Sequence, residues 1–177
     1  MKKYFWNSLA IGFSLILLCS CSSNKDIAKD ISLVGKNWVV AIDEMEWADK
    51  YELITSKRLK SGMDYTPEAG YKFIIMESEI RNVSQYDGIF DYSKLTINSG
   101  NSAWAPFIMV KDFVLGNVRV GSSEKLDAGD DMKRLIVFSV PIGTIPEKVI
   151  YDKDGEVAIP LVTEGSESSE SKEKTEW

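Results

Sequence analysis

Met132-Lys133-Arg134-Leu135-Ile136-Val137-Phe138-Ser139-Val140 is the stretch whose spacing decides the fold. An extended chain points successive side chains to opposite faces. Met132, Arg134, Ile136, Phe138 and Val140 therefore share one face, and Lys133, Leu135, Val137 and Ser139 the other. Pro141 lacks a backbone donor and ends the strand. Upstream, Tyr71-Lys72-Phe73-Ile74-Ile75-Met76-Glu77-Ser78-Glu79-Ile80 begins apolar on both faces and then alternates. Such a strand is buried on both sides at one end and half-exposed at the other. Trp38-Val39-Val40-Ala41-Ile42 is apolar and β-branched. Leu95-Thr96-Ile97 and the run from Trp104 to Val110 are separated by the turn signal Asn98-Ser99-Gly100-Asn101. Val149-Ile150-Tyr151 and Val157-Ala158-Ile159 flank Asp152-Lys153-Asp154-Gly155, a hairpin signature. No long stretch carries a 3.6-residue period. Short strands with turns between them predict an all-β chain folded as a β-sandwich.

Three of these stretches, in this order, resemble one family. Gly70 to Ser84 opens on glycine, runs through Lys72 and Phe73 into aliphatic residues, and closes on Asn82 and Ser84. Leu126-Asp127-Ala128-Gly129-Asp130-Asp131 runs into Leu135 to Pro141, and Ile150-Tyr151-Asp152 follows. Together they resemble the DUF4352 domains, over Asn37 to Val162. The resemblance implies an immunoglobulin-like β-sandwich related to the mycobacterial immunoprotective antigen fold, of a kind common behind lipoprotein signals. Ala128 departs from the family's usual proline, and Glu77 and Glu79 from its usual apolar residues. The family carries no agreed catalytic site or ligand, so the resemblance assigns no residue a role. The same residues also have local physical readings. Gly129 suits a turn that requires positive φ. Asn82, after an edge-exposed strand, suits side-chain bonding to neighbouring backbone.

The chain begins MKKYFWNSLAIGFSLILLCS, with a basic start at Lys2 and Lys3 and an apolar run from Leu9 to Leu18. That run is shorter than the roughly 20 residues a membrane-spanning helix needs, and it has the layout of a secretory signal peptide. Leu18-Cys19-Ser20-Cys21 resembles the lipobox of bacterial lipoproteins. The resemblance implies cleavage between Ser20 and Cys21 and diacylglycerol on the Cys21 sulfur. Cys19 is the rival anchor, but it would put Leu18 where a small residue belongs. An ordinary signal peptide and a single-pass anchor remain alternatives. Residues 21–36 are polar and are expected to form a lipidated tether that lifts the domain off the membrane, with Asp26 to Leu33 able to make a helical turn or two. Residues 163–177 are low-complexity Ser, Glu and Lys, a composition expected to stay disordered. Between them, residues 37–162 suffice for one domain.

Loss of residues 1–20 removes Lys2 and Lys3 and no acid, taking the formal charge from −6 to −8. A net acidic chain is a poor partner for nucleic acid, whose binding rests on phosphate neutralisation. Lys57-Arg58-Leu59-Lys60 is the densest basic spot and reads as a solvated loop or strand end. Histidine is absent, which removes the commonest general base and metal ligand. Of the two cysteines, one leaves with the signal peptide and the other carries lipid, so no disulfide is expected.

Asp152-Lys153-Asp154-Gly155-Glu156 has the start of a calcium loop, but its twelfth position is Thr163 rather than a bidentate Glu, so a plain hairpin is favoured. Asp127, Asp130 and Asp131 form a second acidic cluster and a candidate calcium site. Ser22-Ser23-Asn24-Lys25 matches the spacing of a serine–lysine nucleophile, but it lies beside the lipid. Nothing in the sequence places two carboxylates in one cleft. Among Trp38, Trp47, Tyr51, Trp104, Phe107 and Phe113, most are expected in the core. Trp47, set among Glu46, Asp49 and Lys50, is the candidate exposed ring for a sugar or a protein. The expectation is a membrane-anchored, extracytoplasmic lipoprotein without enzymatic activity or cofactor, seated on the cell membrane or outer membrane. Its sandwich would bind an envelope protein or glycan. A small-ligand or calcium-binding lipoprotein is the alternative, and an envelope polymer hydrolase the remote one.

Overall fold

The computed structural model describes residues 26–56, 59–113, 116–152 and 154–160. Its strands begin with β1 (Asp26–Val34), β2 (Trp38–Ala48), β3 (Tyr51–Ser56), β4 (Ser61–Tyr65) and β5 (Tyr71–Asn82). Next come β6 (Gly88–Asp91), β7 (Leu95–Ser99), β8 (Ser102–Trp104), β9 (Pro106–Phe113) and β10 (Gly116–Arg119). The last are β11 (Ser123–Leu126), β12 (Asp131–Pro141), β13 (Lys148–Tyr151) and β14 (Gly155–Ala158). One six-stranded antiparallel sheet runs β1-β2-β5-β12-β9-β10. Against it stand a four-stranded sheet, β14-β13-β7-β8, and the pair β11-β6. The chain is an all-β sandwich, as its period-2 pattern requires.

Side-chain parity divides the core. Ile74, Met76 and Ile80 of β5 and Ile136, Phe138 and Val140 of β12 face inward, onto Phe90, Tyr92, Leu95, Ile97, Val149 and Tyr151 of the opposing layer. Trp38 meets Phe90 edge-on at 5.2 Å, and Phe90 stacks on Tyr151 at 4.4 Å. The odd-numbered Phe73 and Val137 face outward. There they bury Tyr51 and Leu53 of β3, together with Ala48, Ile108 and Val110, in a second, smaller core under the β3–β4 hairpin. This explains why β5 opens with two adjacent buried residues, Phe73 and Ile74, and alternates afterwards.

Several sequence expectations are corrected. Residues 26–34, read as tether with a possible helical turn, are strand β1. Ile27, Ala28 and Leu33 belong to the main core, so the sandwich begins at Asp26 and not at Asn37. Strand β5 is not at an edge but lies between β2 and β12. The run from Trp104 to Val110 is two strands: β8 pairs with β7 in one layer and β9 with β12 in the other, so the chain changes layer at Ala105. The Asn98–Asn101 turn joins β7 to β8 with Gly100 at φ 54°, and Asp152–Gly155 joins β13 to β14. The tail at 163–177 lies outside the described residues.

Candidate functional site

An arginine sits on the apolar face of β12. Between Met132 and Ile136, the inward-facing Arg134 side chain is only 5% exposed. Its partner comes from β11. Nε and Nη2 donate to Glu124 Oε2 and Oε1, each at 2.6 Å, and Nη1 donates to the Lys133 carbonyl at 2.6 Å. The Tyr92 hydroxyl donates to Glu124 Oε2 at 2.6 Å. Burial, then the bond to Glu124, pushes the Tyr92 hydroxyl well above its ordinary range. Burial alone would raise the Glu124 carboxyl, but the Arg134 and Tyr92 bonds outweigh it and hold it below its usual value. Burial opposes the Arg134 charge, yet Glu124 keeps its pKa raised. All three groups are thus driven away from titration near neutrality, and the fork-to-carboxylate geometry locks the opposing layers together. Sequence reasoning passed over this cluster, although a lone arginine on an otherwise apolar face was its visible signal.

Asn82 is fully buried and makes a second polar knot. Its amide donates to the carbonyls of Tyr86 (2.9 Å) and Leu126 (3.1 Å), and its Oδ1 accepts from Ser84 N and Oγ. Backbone bonds from Asn82 N to Asp130 O and from Gly129 N to Asn82 O complete it, with Gly129 at φ 82°. The end of β5 and the turn before β12 are therefore one unit, and the side-chain role expected of Asn82 is observed. Asp154 does similar work at the β13–β14 turn: its carboxylate accepts from the backbone N–H groups of Lys36, Asn37 and Trp38, each at 3.1 Å. It pins the β1–β2 turn to the opposing layer.

On the outer face, beyond the β3–β4 hairpin, lies a recess of about 270 Å³ bordered by Asp43, Glu77, Asn117, Lys133 and Leu135. Lys133 Nζ lies 4.0 Å from Asp43 and 3.9 Å from Glu79, and Asn117 Oδ1 is buried without a hydrogen-bond partner among the described residues. At the end where β12 finishes, the loop to β13 exposes Ile142 (60%) and Ile145 (61%), and Tyr71 stands beside Pro141. At the opposite end, Val34, Val83, Tyr86 and Ile89 are exposed.

The residues singled out from sequence fare differently. Trp47 is not a free ring; it is half-buried against the main core. Asp127, Asp130 and Asp131 do not form the candidate metal site. Asp127 pairs with Lys125 at 3.3 Å, and among the described residues no three His, Cys, Asp or Glu side chains are grouped to hold a metal. Trp38 and Tyr51 are core, and Phe107 is 46% exposed against Phe73. The Phe113 side chain, Ser20, Cys21 and residues 22–25 lie outside what is described.

No known protein family matches the chain, and no curated protein does. Two solved structures are similar. One is an uncharacterized beta-sandwich protein from Clostridium difficile 630, with 14% identity and a TM-score of 0.48, covering 75% of this chain and 92% of that one. The other is a conserved hypothetical protein from Bacillus anthracis, with 13% identity and a TM-score of 0.45, covering 77% and 97%.

Proposed function

We propose that the chain is a lipid-anchored envelope protein, exported by residues 1–20, cut between Ser20 and Cys21, and held at a membrane by acyl chains on Cys21. Its sandwich is a non-enzymatic, immunoglobulin-like binding module of the DUF4352 kind, displayed outside the cytoplasm for an envelope protein or glycan. The observation that carries the anchor is Leu18-Cys19-Ser20-Cys21 at the end of a short apolar run. Each buried CH2 contributes about 0.8 kcal/mol, so two or three chains hold firmly. The binding role is supported by exposed apolar residues at one end of the sandwich, Val83 and Tyr86 on the loop after β5 and Ile89 on β6, set on a frame locked by Asn82 and Arg134.

Growth with labelled palmitate tests the anchor. The wild-type chain should take up label and sediment with membranes, and Cys21→Ser should do neither. Equal labelling of the two chains would remove Cys21 from the role. Crosslinking from Tyr86 in intact envelopes tests the binding module: a discrete protein or glycan adduct is expected, and its absence would leave only the anchor.

A further inference from the structure

The sheet register and the length of chain before β1 together fix which end of the sandwich meets the membrane. Asp26 pairs with Glu46, and Glu46 with Ile75 of β5. Asp26 thus lies four residues, or about 13 Å, short of the end marked by the Tyr71–Pro141 pair. β1 runs away from that end, so the chain that precedes it enters from that side. Cys21 is five residues before Asp26, and five residues span at most about 18 Å whatever their conformation. The opposite end, where β1 finishes at Val34, lines up through Val39 with Arg81 of β5, six residues or about 20 Å from the Ile75 level of Asp26. A lipid on Cys21 cannot reach it.

The end within reach carries Tyr71, Ile142 and Ile145 exposed, the two isoleucines on one short loop between Pro141 and Pro146. A loop of this kind buries aliphatic side chains at the headgroup–acyl boundary without leaving a charge there, and tyrosine suits the same depth. The other surface within reach, the β1 flank, presents Asp26, Asp30, Asp43 and Glu44 against Lys29, with Lys133 4.0 Å from Asp43, so acids outnumber bases there and anionic headgroups would repel it.

We infer that the β12–β13 loop, with Ile142, Ile145 and the neighbouring Tyr71, docks into the phospholipid surface that holds the Cys21 lipid. This rests on the lipoprotein reading above. The sandwich then stands upright, with Tyr86, Val83 and Ile89 at the pole farthest from the bilayer. The domain is seated on the membrane, not suspended from it.

The mature chain has no cysteine besides Cys21, so a single added thiol can be labelled in the full lipidated protein. Ile142→Cys, Ile145→Cys and Tyr86→Cys would each carry an environment-sensitive fluorophore in vesicles of phosphatidylethanolamine and phosphatidylglycerol containing nitroxide lipids. All three sites are exposed, so the fold should accept them. Labels at 142 and 145 should shift to the blue and be quenched several-fold more than the label at 86. Equal quenching at the two poles, or none at either, in protein that has taken up palmitate would overturn the docking and leave the anchor standing. Protein that takes up no palmitate would overturn both.

Discussion

Arg134 shows how one residue binds two layers and what its loss should cost. Its guanidinium is almost wholly removed from water, and each of its three nitrogens donates to Glu124 or to the Lys133 carbonyl. Truncation leaves the Glu124 carboxylate, whose side chain is 22% exposed, facing an apolar layer without its guanidinium partner and still bonded by the Tyr92 hydroxyl. Breaking a buried pair costs about 3–5 kcal/mol, and partial access of water to Glu124 puts Arg134→Ala near the low end. Denaturant unfolding should show that loss, while Arg134→Met combined with Glu124→Leu should recover most of it, because both charges are then gone. The cluster also sets an acid limit. Glu124 titrates below its ordinary 4.5 in the folded chain. Its contribution is therefore complete above that value and drains away as pH falls through the depressed one. The stability gap between wild type and Glu124→Gln should be wide at about pH 6 and shrink progressively once the pH falls below the ordinary 4.5. A gap that stays constant on acidification would mean that the carboxylate contributes nothing through its charge. Arg134 was visible in the sequence as a charge on an apolar face. Glu124 was not, because it sits in a four-residue strand too short to show a period.

At the scale of the element, one residue in β2 reverses which side of the strand is core. Trp38, Val40 and Ile42 face inward. Strict alternation would continue with Glu44 and Glu46 inward and Met45 and Trp47 outward. Ile42 pairs with Ser78 and Glu44 with Glu77, so Asp43 is an extra residue opposite the β5 ladder. This bulge shifts the parity by one, and Met45 becomes fully buried while Trp47 packs on the core. Deleting Asp43 should close the ladder into plain alternation with the faces kept, Met45 and Trp47 inward and Glu44 and Glu46 outward, because Ile42 and Glu44 already pair with the adjacent Ser78 and Glu77. The deletion variant should therefore keep a cooperative thermal transition by circular dichroism, as should Asp43→Ala, and loss of that transition on deletion would mean that the bulge does more than set the parity. β5 and β12 were legible because the ladder between them is unbroken, and β13 because its ladders to β7 and β14 are. β2 was legible only up to its bulge, since a bulge is a property of the pair and not of either sequence.

At the scale of the molecule, the domain boundary is decided by β1, the element that composition hid. Its burial alternates only in part: Ile27 and Ala28 are adjacent and buried, Asp30 takes φ 53°, and the register against β2 shifts between Asp26 and Ala28. With those breaks, and with Asp26, Lys29, Asp30 and Ser32 spread along it, the segment shows no period and looks like tether. Yet Leu33 is fully buried, and removing such a side chain alone costs about 2–5 kcal/mol. Loss of the whole strand would also strip Ile27 and Ala28 from the core, bare the hydrogen-bonding edge of β2, and leave Asp154 without the Lys36 N–H it holds. A chain that starts at Asn37 should therefore be unfolded or aggregation-prone, whereas one that starts at Asn24 should fold. Proteolysis of the two side by side provides the check: a resistant core is expected only from the longer one. If the Asn37 chain gave an equally resistant core, β1 would be dispensable. Asp26 could not then fix the position of the Cys21 lipid, and the upright seating on the membrane would lose its geometric basis.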